Sequence, residues 1–169
     1  MVPTVEWKDG AVRLLDQSRL PMHVEFLDCR DYRAVAQAIR DLKVRGAPAI
    51  GVTAAMGVAL GAQAVTATEY RDFATQVGEI CDHLAASRPT AVNLFWAIGR
   101  MKQKLAALNN HPVAGIKAEL ITARLQEVRA AGVTVAGSLS PQQTHKYAKA
   151  VVDAGAKYHV PANVPYTRY

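Results

Sequence analysis

At 169 residues the chain can bury a core of its own, and it predicts one domain or one domain with a small appendage. Half of the residues are hydrophobic and a fifth are charged, a soluble globular balance. The formal net charge is +6, but the cations are interleaved with acids and form neither a basic arm nor an aromatic RNA-binding box. That argues against nucleic acid and for solvated helix faces with a preference for anionic small molecules. Cys29 and Cys81 are too few and too far apart for a disulfide framework or a CxxC metal site, so a reduced, cytoplasmic chain is expected. The first ten residues carry Glu6, Lys8 and Asp9 and lack the apolar core of a signal peptide.

Short extended runs open the chain: residues 5–8, a turn at Asp9-Gly10, residues 11–15, then residues 23–26. An Asp-Gly pair between two such runs is a hairpin signal, and a small antiparallel sheet is expected. Asp31 can cap a helix in which Val35, Ile39 and Leu42 recur at helical spacing and which Gly46 closes. Arg30, Arg33 and Arg40 then fall on its wet face.

The stretch Arg45-Gly46-Ala47-Pro48-Ala49-Ile50-Gly51 joins that charged helix end to a long apolar helix. Backbone N–H groups at a helix start lack intrahelical partners and lie at the positive end of the dipole, so a phosphate can be held there while Arg45 supplies a forked donor. Gly46 permits a turn or a close approach, and Pro48 presets the first helical turn. The same residues also fit plain helix punctuation, with Gly46 as a C-cap and Pro48 at the first helical position. Residues 48–67 carry no charge over about the length that spans a bilayer, but they are rich in Gly, Ala and Thr. A buried central helix fits that composition better, with Gly51, Gly57 and Gly61 letting neighbours approach.

Thr66 followed by Glu69 fits a capping box, and Tyr70, Phe73, Val77, Ile80, Cys81 and Leu84 continue as one apolar stripe, which makes Cys81 a core residue. Ser87-Arg88-Pro89-Thr90 breaks that helix and starts another with Val92, Phe95, Trp96, Ile98, Met101 and Leu105. Arg88 alone reads as a surface residue. Beside Arg45, at an equivalent helix start, it becomes a second clamp on one anion. Tyr70, Phe73, Phe95 and Trp96 read as core packing. Asn109-Asn110-His111-Pro112 is a turn cluster and the candidate boundary. Beyond it a helix over 113–131 ending at Gly132, a strand over 133–136, a helix begun by Ser140-Pro141 and closed by Gly155, and a strand over 158–160 form an αβαβ run with a parallel sheet.

Three segments carry a family resemblance: Trp7-Lys8-Asp9-Gly10; Ala38-Ile39-Arg40-Asp41-Leu42-Lys43-Val44-Arg45-Gly46-Ala47-Pro48-Ala49-Ile50-Gly51; and Ser87-Arg88-Pro89-Thr90-Ala91-Val92-Asn93-Leu94. Over residues 1–108 the chain resembles the N-terminal part of the S-methyl-5-thioribose-1-phosphate isomerases. That family shares its fold with the regulatory subunits of the translation-initiation nucleotide exchange factor and with ribose-1,5-bisphosphate isomerase. The resemblance implies that Arg45, Gly46, Ala47 and Arg88 bind the phosphate of a sugar substrate. It also implies the aldose-to-ketose isomerisation of methylthioribose 1-phosphate in methionine salvage, without metal or organic cofactor, in a cytoplasmic homodimer that uses neither nucleic acid nor membrane. Moving hydrogen between C2 and C1 of the opened sugar needs an acid or base aimed at carbon and a polar group on oxygen.

The family's Thr-His-Cys-Asn and Gly-Ala-Asp-Arg motifs, which carry its cysteine and aspartate, do not occur here. Cys29 and Cys81 cannot be equated with that cysteine, and Asp153 lacks the following Arg, so the catalytic pair has no assignable residue. Residues 119–160, through Glu127-Val128-Arg129-Ala130-Ala131-Gly132-Val133-Thr134-Val135 and Val152-Asp153-Ala154-Gly155, resemble a βα unit of the barrel in IMP-dehydrogenase-related proteins. His23, His83, His111, His145 and His159 show no HExxH or paired metal spacing, and no GxSxG elbow, Walker loop or GxGxxG occurs.

The expected fold is therefore α+β: a small N-terminal antiparallel sheet, a helical bundle, and a partial α/β (βαβ) unit. Its expected division is an isomerase-like domain over 1–108 and an αβαβ appendage or incomplete Rossmann-like domain over 113–169. The expected function is the phosphate-gripping part of the isomerase; the alternative is a non-catalytic relative that senses a phosphorylated sugar or nucleotide.

Overall fold

A computed structural model of the chain describes residues 4–130, 136–137 and 157–158, with side chains described for residues 4–121. Strands β1 (Val5–Lys8) and β2 (Ala11–Leu15) form an antiparallel hairpin. Asp9 and Gly10 both take positive φ, 49° and 72°, as a two-residue turn that matches the twist of its strands requires. Strand β3 (Phe26–Cys29) completes the sheet in the order β1-β2-β3. It lies three residues later than the expected 23–26. His23 N–H donates to the Arg19 carbonyl and closes a turn, and only the later register sets Cys29 opposite Val12, both fully buried. On the outer face Arg13 forks onto Asp28 through Nε–Oδ1 at 2.6 Å and Nη2–Oδ2 at 2.7 Å.

Helix α1 (Tyr32–Arg40) starts as its sequence requires: Asp31 accepts from the Ala34 N–H at 2.8 Å. Val35 and Ile39 face inward, and Arg30, Arg33 and Arg40 are exposed. Its end departs from expectation. Gly46 does not close it, and Leu42 is not on its buried stripe. The helix stops at Arg40, and Leu42 takes the left-handed φ of 57°. Leu42 N–H then donates to the Ile39 carbonyl and Lys43 N–H to the Ala38 carbonyl, which satisfies the last carbonyls in a Schellman arrangement. Those bonds offset the roughly 1–2 kcal/mol that a left-handed leucine costs.

Helix α2 (Ala47–Ala64) is the axis of the structure. Helices α1, α3 (Tyr70–Ala85), α4 (Val92–Ala107) and α5 (Val113–Ala130) and strands β1 and β2 all pack on it. It is long and apolar enough to cross a membrane by length and composition, and 72% of it is buried inside the fold. Its glycines are contact points. A Cβ on Gly57 would lie 2.9 Å from Val35 Cγ1, and one on Gly61 would lie 2.8 Å from Ile80 Cγ2. Both neighbours are β-branched and stiff, so neither site accepts a methyl group without movement. Gly78 in α3 is the opposite case, with nothing within 4 Å of an added Cβ. Gly78→Ala is expected to raise stability by about 0.5–1 kcal/mol in chemical denaturation, since only the glycine's helix penalty is removed. Loss of stability would place that face against something unseen.

Helix α3 begins at Tyr70 with Glu69 as its N-cap and no side-chain cap bond, so the Thr66–Glu69 capping box does not form. The expected stripe does: Phe73, Val77, Ile80, Cys81 and Leu84 are buried, and the half-buried Tyr70 donates its hydroxyl to the Leu105 carbonyl at 3.3 Å. Helix α4 corrects a second expectation. It buries Leu94, Ala97, Ile98, Met101 and Leu105, a stripe that turns Phe95 and Trp96 outward, 46% and 60% exposed. Of the four aromatics read as core, Phe73 is fully buried. The turn over 109–112 separates α4 from α5, whose Val113, Ile116 and Leu120 enter the same core. Strands β4 (Ala136–Gly137) and β5 (Lys157–Tyr158) pair in parallel, at bounds that overlap the expected 133–136 and 158–160 by one residue each. The expectations for 131–135, 138–156 and 159–169, including most of the barrel-like stretch, lie outside the described residues. Among the described residues the architecture is α+β, with a three-stranded antiparallel sheet, five helices and the short parallel pair β4-β5.

Candidate functional site

The loop from α1 to α2 carries three of the four expected binding residues. Once Leu42 has reversed the chain, fully buried Val44 anchors it in the core, and Arg45, Gly46, Ala47 and Pro48 are exposed. Gly46 is the N-cap of α2 at φ 90° and ψ 133°, with no side-chain cap bond. It therefore opens the second helix and does not close the first. Ala47 is the first helical residue and Pro48 the second, one position later than the sequence suggested. The first helical bond is Ile50 N–H to the Gly46 carbonyl at 3.0 Å, so the donors ahead of it have no intrahelical partner. Arg45 folds its Nε back onto the Leu42 carbonyl at 3.0 Å.

Arg88 occupies a matching place. Ser87 ends α3 by donating its hydroxyl and its N–H to the Leu84 carbonyl, at 2.6 and 3.1 Å. Arg88 follows, half-buried, and a turn closed by Ala91 N–H to the Arg88 carbonyl leads into α4. Ala91 is the N-cap and supplies no side-chain cap bond. Packing brings the two helix starts together. A Cβ on Gly51, in the second turn of α2, would lie 3.1 Å from the Asn93 carbonyl oxygen and 3.6 Å from Ala97 Cβ in the first turns of α4. Two uncapped helix N-termini, each led by an arginine, thus stand side by side at one end of the bundle. Each start carries free backbone N–H groups at the positive end of its helix dipole.

Residues that sequence reasoning missed hold this loop from behind. After β2 the chain runs through Asp16 and Gln17, both buried. Gln17 N–H donates to the Lys43 carbonyl at 2.8 Å, and Gln17 Oε1 accepts from Arg45 N–H at 3.1 Å. Asp16 accepts from Lys43 Nζ at 3.1 Å and from the N–H and hydroxyl of Ser18. Four polar residues in a row, Asp16 to Arg19, between two apolar runs were the only available signal, and polar loops are too common for it to stand out. Burial raises the Asp16 carboxyl, but the bonds from Ser18 and Lys43 outweigh burial and hold it below its ordinary value. The bonded carboxylate therefore stabilises the folded chain fully above the usual carboxylate range, and this contribution disappears as pH falls through about 4 and lower. Asp16→Asn is expected to lower the melting temperature most near neutrality, with the gap to the unmutated chain narrowing below about pH 4. A gap that stays constant with pH would refute that role.

The thiols offer no nucleophile. Cys29 and Cys81 are fully buried, and burial pushes both up to about 11, so they stay protonated at neutral pH. Neither cysteine supplies the acid or base that an isomerisation needs.

Comparison with known proteins places these features in a family. The model of the Initiation factor 2 subunit family matches residues 43–140. The methylthioribose-1-phosphate isomerase of Trichlorobacter lovleyi is 50% identical over 129 residues, covering 74% of this chain and 37% of that protein. The protein of the same name in Geobacter sulfurreducens is 55% identical over 100 residues, 59% of this chain and 29% of that one. Among solved structures, the 5-methylthioribose 1-phosphate isomerase of Pyrococcus horikoshii superposes with a TM-score of 0.73 at 33% identity, covering 77% of this chain and 36% of that chain. The translation initiation factor eIF-2B subunit delta from A. fulgidus gives 0.68 at 35% identity, covering 78% of this chain and 37% of that chain. The chain spans about a third of the length of the curated relatives it matches.

Proposed function

The chain belongs to the Initiation factor 2 subunit family, and from that premise we propose that it is the phosphate-gripping part of a methylthioribose-1-phosphate isomerase acting in methionine salvage. The observation that carries this reading is the pairing of the α2 and α4 starts, with Arg45 ahead of one and Arg88 ahead of the other. In this reading the phosphate of an aldose 1-phosphate sits on the N–H groups at Gly46 and Ala47, and the two guanidinium groups supply the charge. The grip holds the sugar by the phosphate on C1, next to the bonds that change, and leaves the proton transfer between C1 and C2 to groups outside residues 4–121. The Thr-His-Cys-Asn and Gly-Ala-Asp-Arg motifs are absent from these 169 residues, so the chain alone binds without turnover. A cytoplasmic homodimer completes the proposal.

The test is an NMR time course of the chain with S-methyl-5-thioribose 1-phosphate. The expected result is shifted amides at residues 45–47 and 88–91 with the aldose signals unchanged. Ketose formation would locate catalytic groups in residues 109–169, and absence of any amide shift would sink the binding reading. A second reading, a non-catalytic metabolite sensor, is favoured by the likeness to the eIF-2B delta subunit at 35% identity. It predicts tighter binding of a nucleotide than of methylthioribose 1-phosphate, where the isomerase reading predicts the reverse.

A further inference from the structure

The anion loop has little of its own to hold it. Gly46 has no side chain, Pro48 has no N–H, and α2 has no side-chain cap. What fixes the backbone between buried Val44 and buried Ala49 comes from a distant segment: Gln17, 28 positions earlier in the chain, accepts the Arg45 N–H with its Oε1. Gln17 is 6% exposed, and its Nε2 is buried with no partner among the described residues. A buried amide with one idle end carries a desolvation cost that an aliphatic side chain of similar size would avoid. The bond from the other end to the loop is what offsets it.

We propose that Gln17 is a positioning residue for the anion loop, tying the Arg45 backbone to the β2 exit so that the guanidinium and the Gly46 and Ala47 N–H groups are aimed before a phosphate arrives. This rests on the phosphate-gripping reading above. The physical gain is preorganisation: a glycine-containing loop left to itself loses conformational freedom on binding, and one already tied down does not. Gln17 touches no ligand and acts through Arg45. The neighbouring Gln17 N–H to Lys43 carbonyl bond and the Asp16–Lys43 pair hold the rest of the segment, so removing the carboxamide alone loosens the loop while the segment stays in place.

The experiment is amide exchange and titration with inorganic phosphate, both followed by NMR, on the full chain and on Gln17→Leu, Gln17→Glu, Arg45→Ala and the Gln17→Leu/Arg45→Ala double variant. The Arg45 amide is expected to be protected in the parent, exposed in Gln17→Leu and protected again in Gln17→Glu, which keeps an acceptor oxygen. Gln17→Leu is expected to weaken phosphate binding by about two- to tenfold. That loss should shrink in the Arg45→Ala background, because only the Gly46 and Ala47 N–H groups are then left to position. A purely structural role would instead give the same loss in both backgrounds. Gln17→Leu with unchanged phosphate affinity, or an additive double variant, overturns the proposal while leaving the grip intact. Unchanged affinity in Arg45→Ala overturns the gripping reading itself, and the positioning role falls with it.

Discussion

Arg45→Ala is expected to lower the affinity of the chain for S-methyl-5-thioribose 1-phosphate by about ten- to a hundredfold in calorimetric titration, with the melting temperature unchanged. The size follows from removing charge-assisted bonds to a phosphate, which contribute roughly 1.5–3 kcal/mol each, at about 1.4 kcal/mol per tenfold. The fold should not notice, because Arg45 is exposed and its one described side-chain bond is to the Leu42 carbonyl, at a turn already closed by backbone bonds. Arg88→Ala should act in the same direction. If both arginines hold one phosphate, the double variant loses less than the sum of the single losses, since sites that share a partner are not additive. Affinity unchanged in both single variants would return the loop to simple helix punctuation.

A second large effect is expected in the core. Phe73 is fully buried in the α3 stripe, and Phe73→Ala should cost about 3–5 kcal/mol, the lost transfer of the ring plus the cavity it leaves. For a chain of this size that is a fall of roughly 10 °C in melting temperature. Trp96→Ala, which removes a larger ring, should cost far less, because Trp96 is 60% exposed and Arg100 lies over its face 4.9 Å away. Equal losses in the two variants would mean that the face of α4 carrying Val92, Phe95 and Trp96 is packed in solution, contrary to the structure.

The contrast between those two aromatics shows where sequence reading stops. Phe73 belongs to a stripe with a partner at each helical step, and periodicity identifies such a residue. Phe95 and Trp96 are equally apolar and close to the α4 stripe, yet a rotation of about 100° per residue takes them past its edge. Only the packing of α4 against α2 through Leu94, Ala97 and Ile98 decides that. The end of α1 is similar. Gly46 is the better candidate for a left-handed cap by composition, but Leu42 takes the role because burial of Val44 and the Lys43 bonds to Asp16 and Gln17 require the chain to turn there. The capping box at Thr66 fails because α3 starts at Tyr70, where the hydroxyl reaches the Leu105 carbonyl.

Local chemistry was enough for the hairpin at Asp9-Gly10, the Asp31 cap, the apolar central helix and the two arginine-led helix starts, because each depends on residues adjacent in sequence or on one periodic stripe. The proposed binding residues Arg45, Gly46, Ala47 and Arg88 were singled out by their places at two helix starts and by the family resemblance. Their relation was not legible there. That the starts of α2 and α4 lie side by side depends on the absence of a side chain at Gly51, and that Gln17 holds Arg45 depends on where β2 leaves the sheet. Contacts of that kind join segments with no shared periodicity, so their energies enter only when the core has set the distances between them.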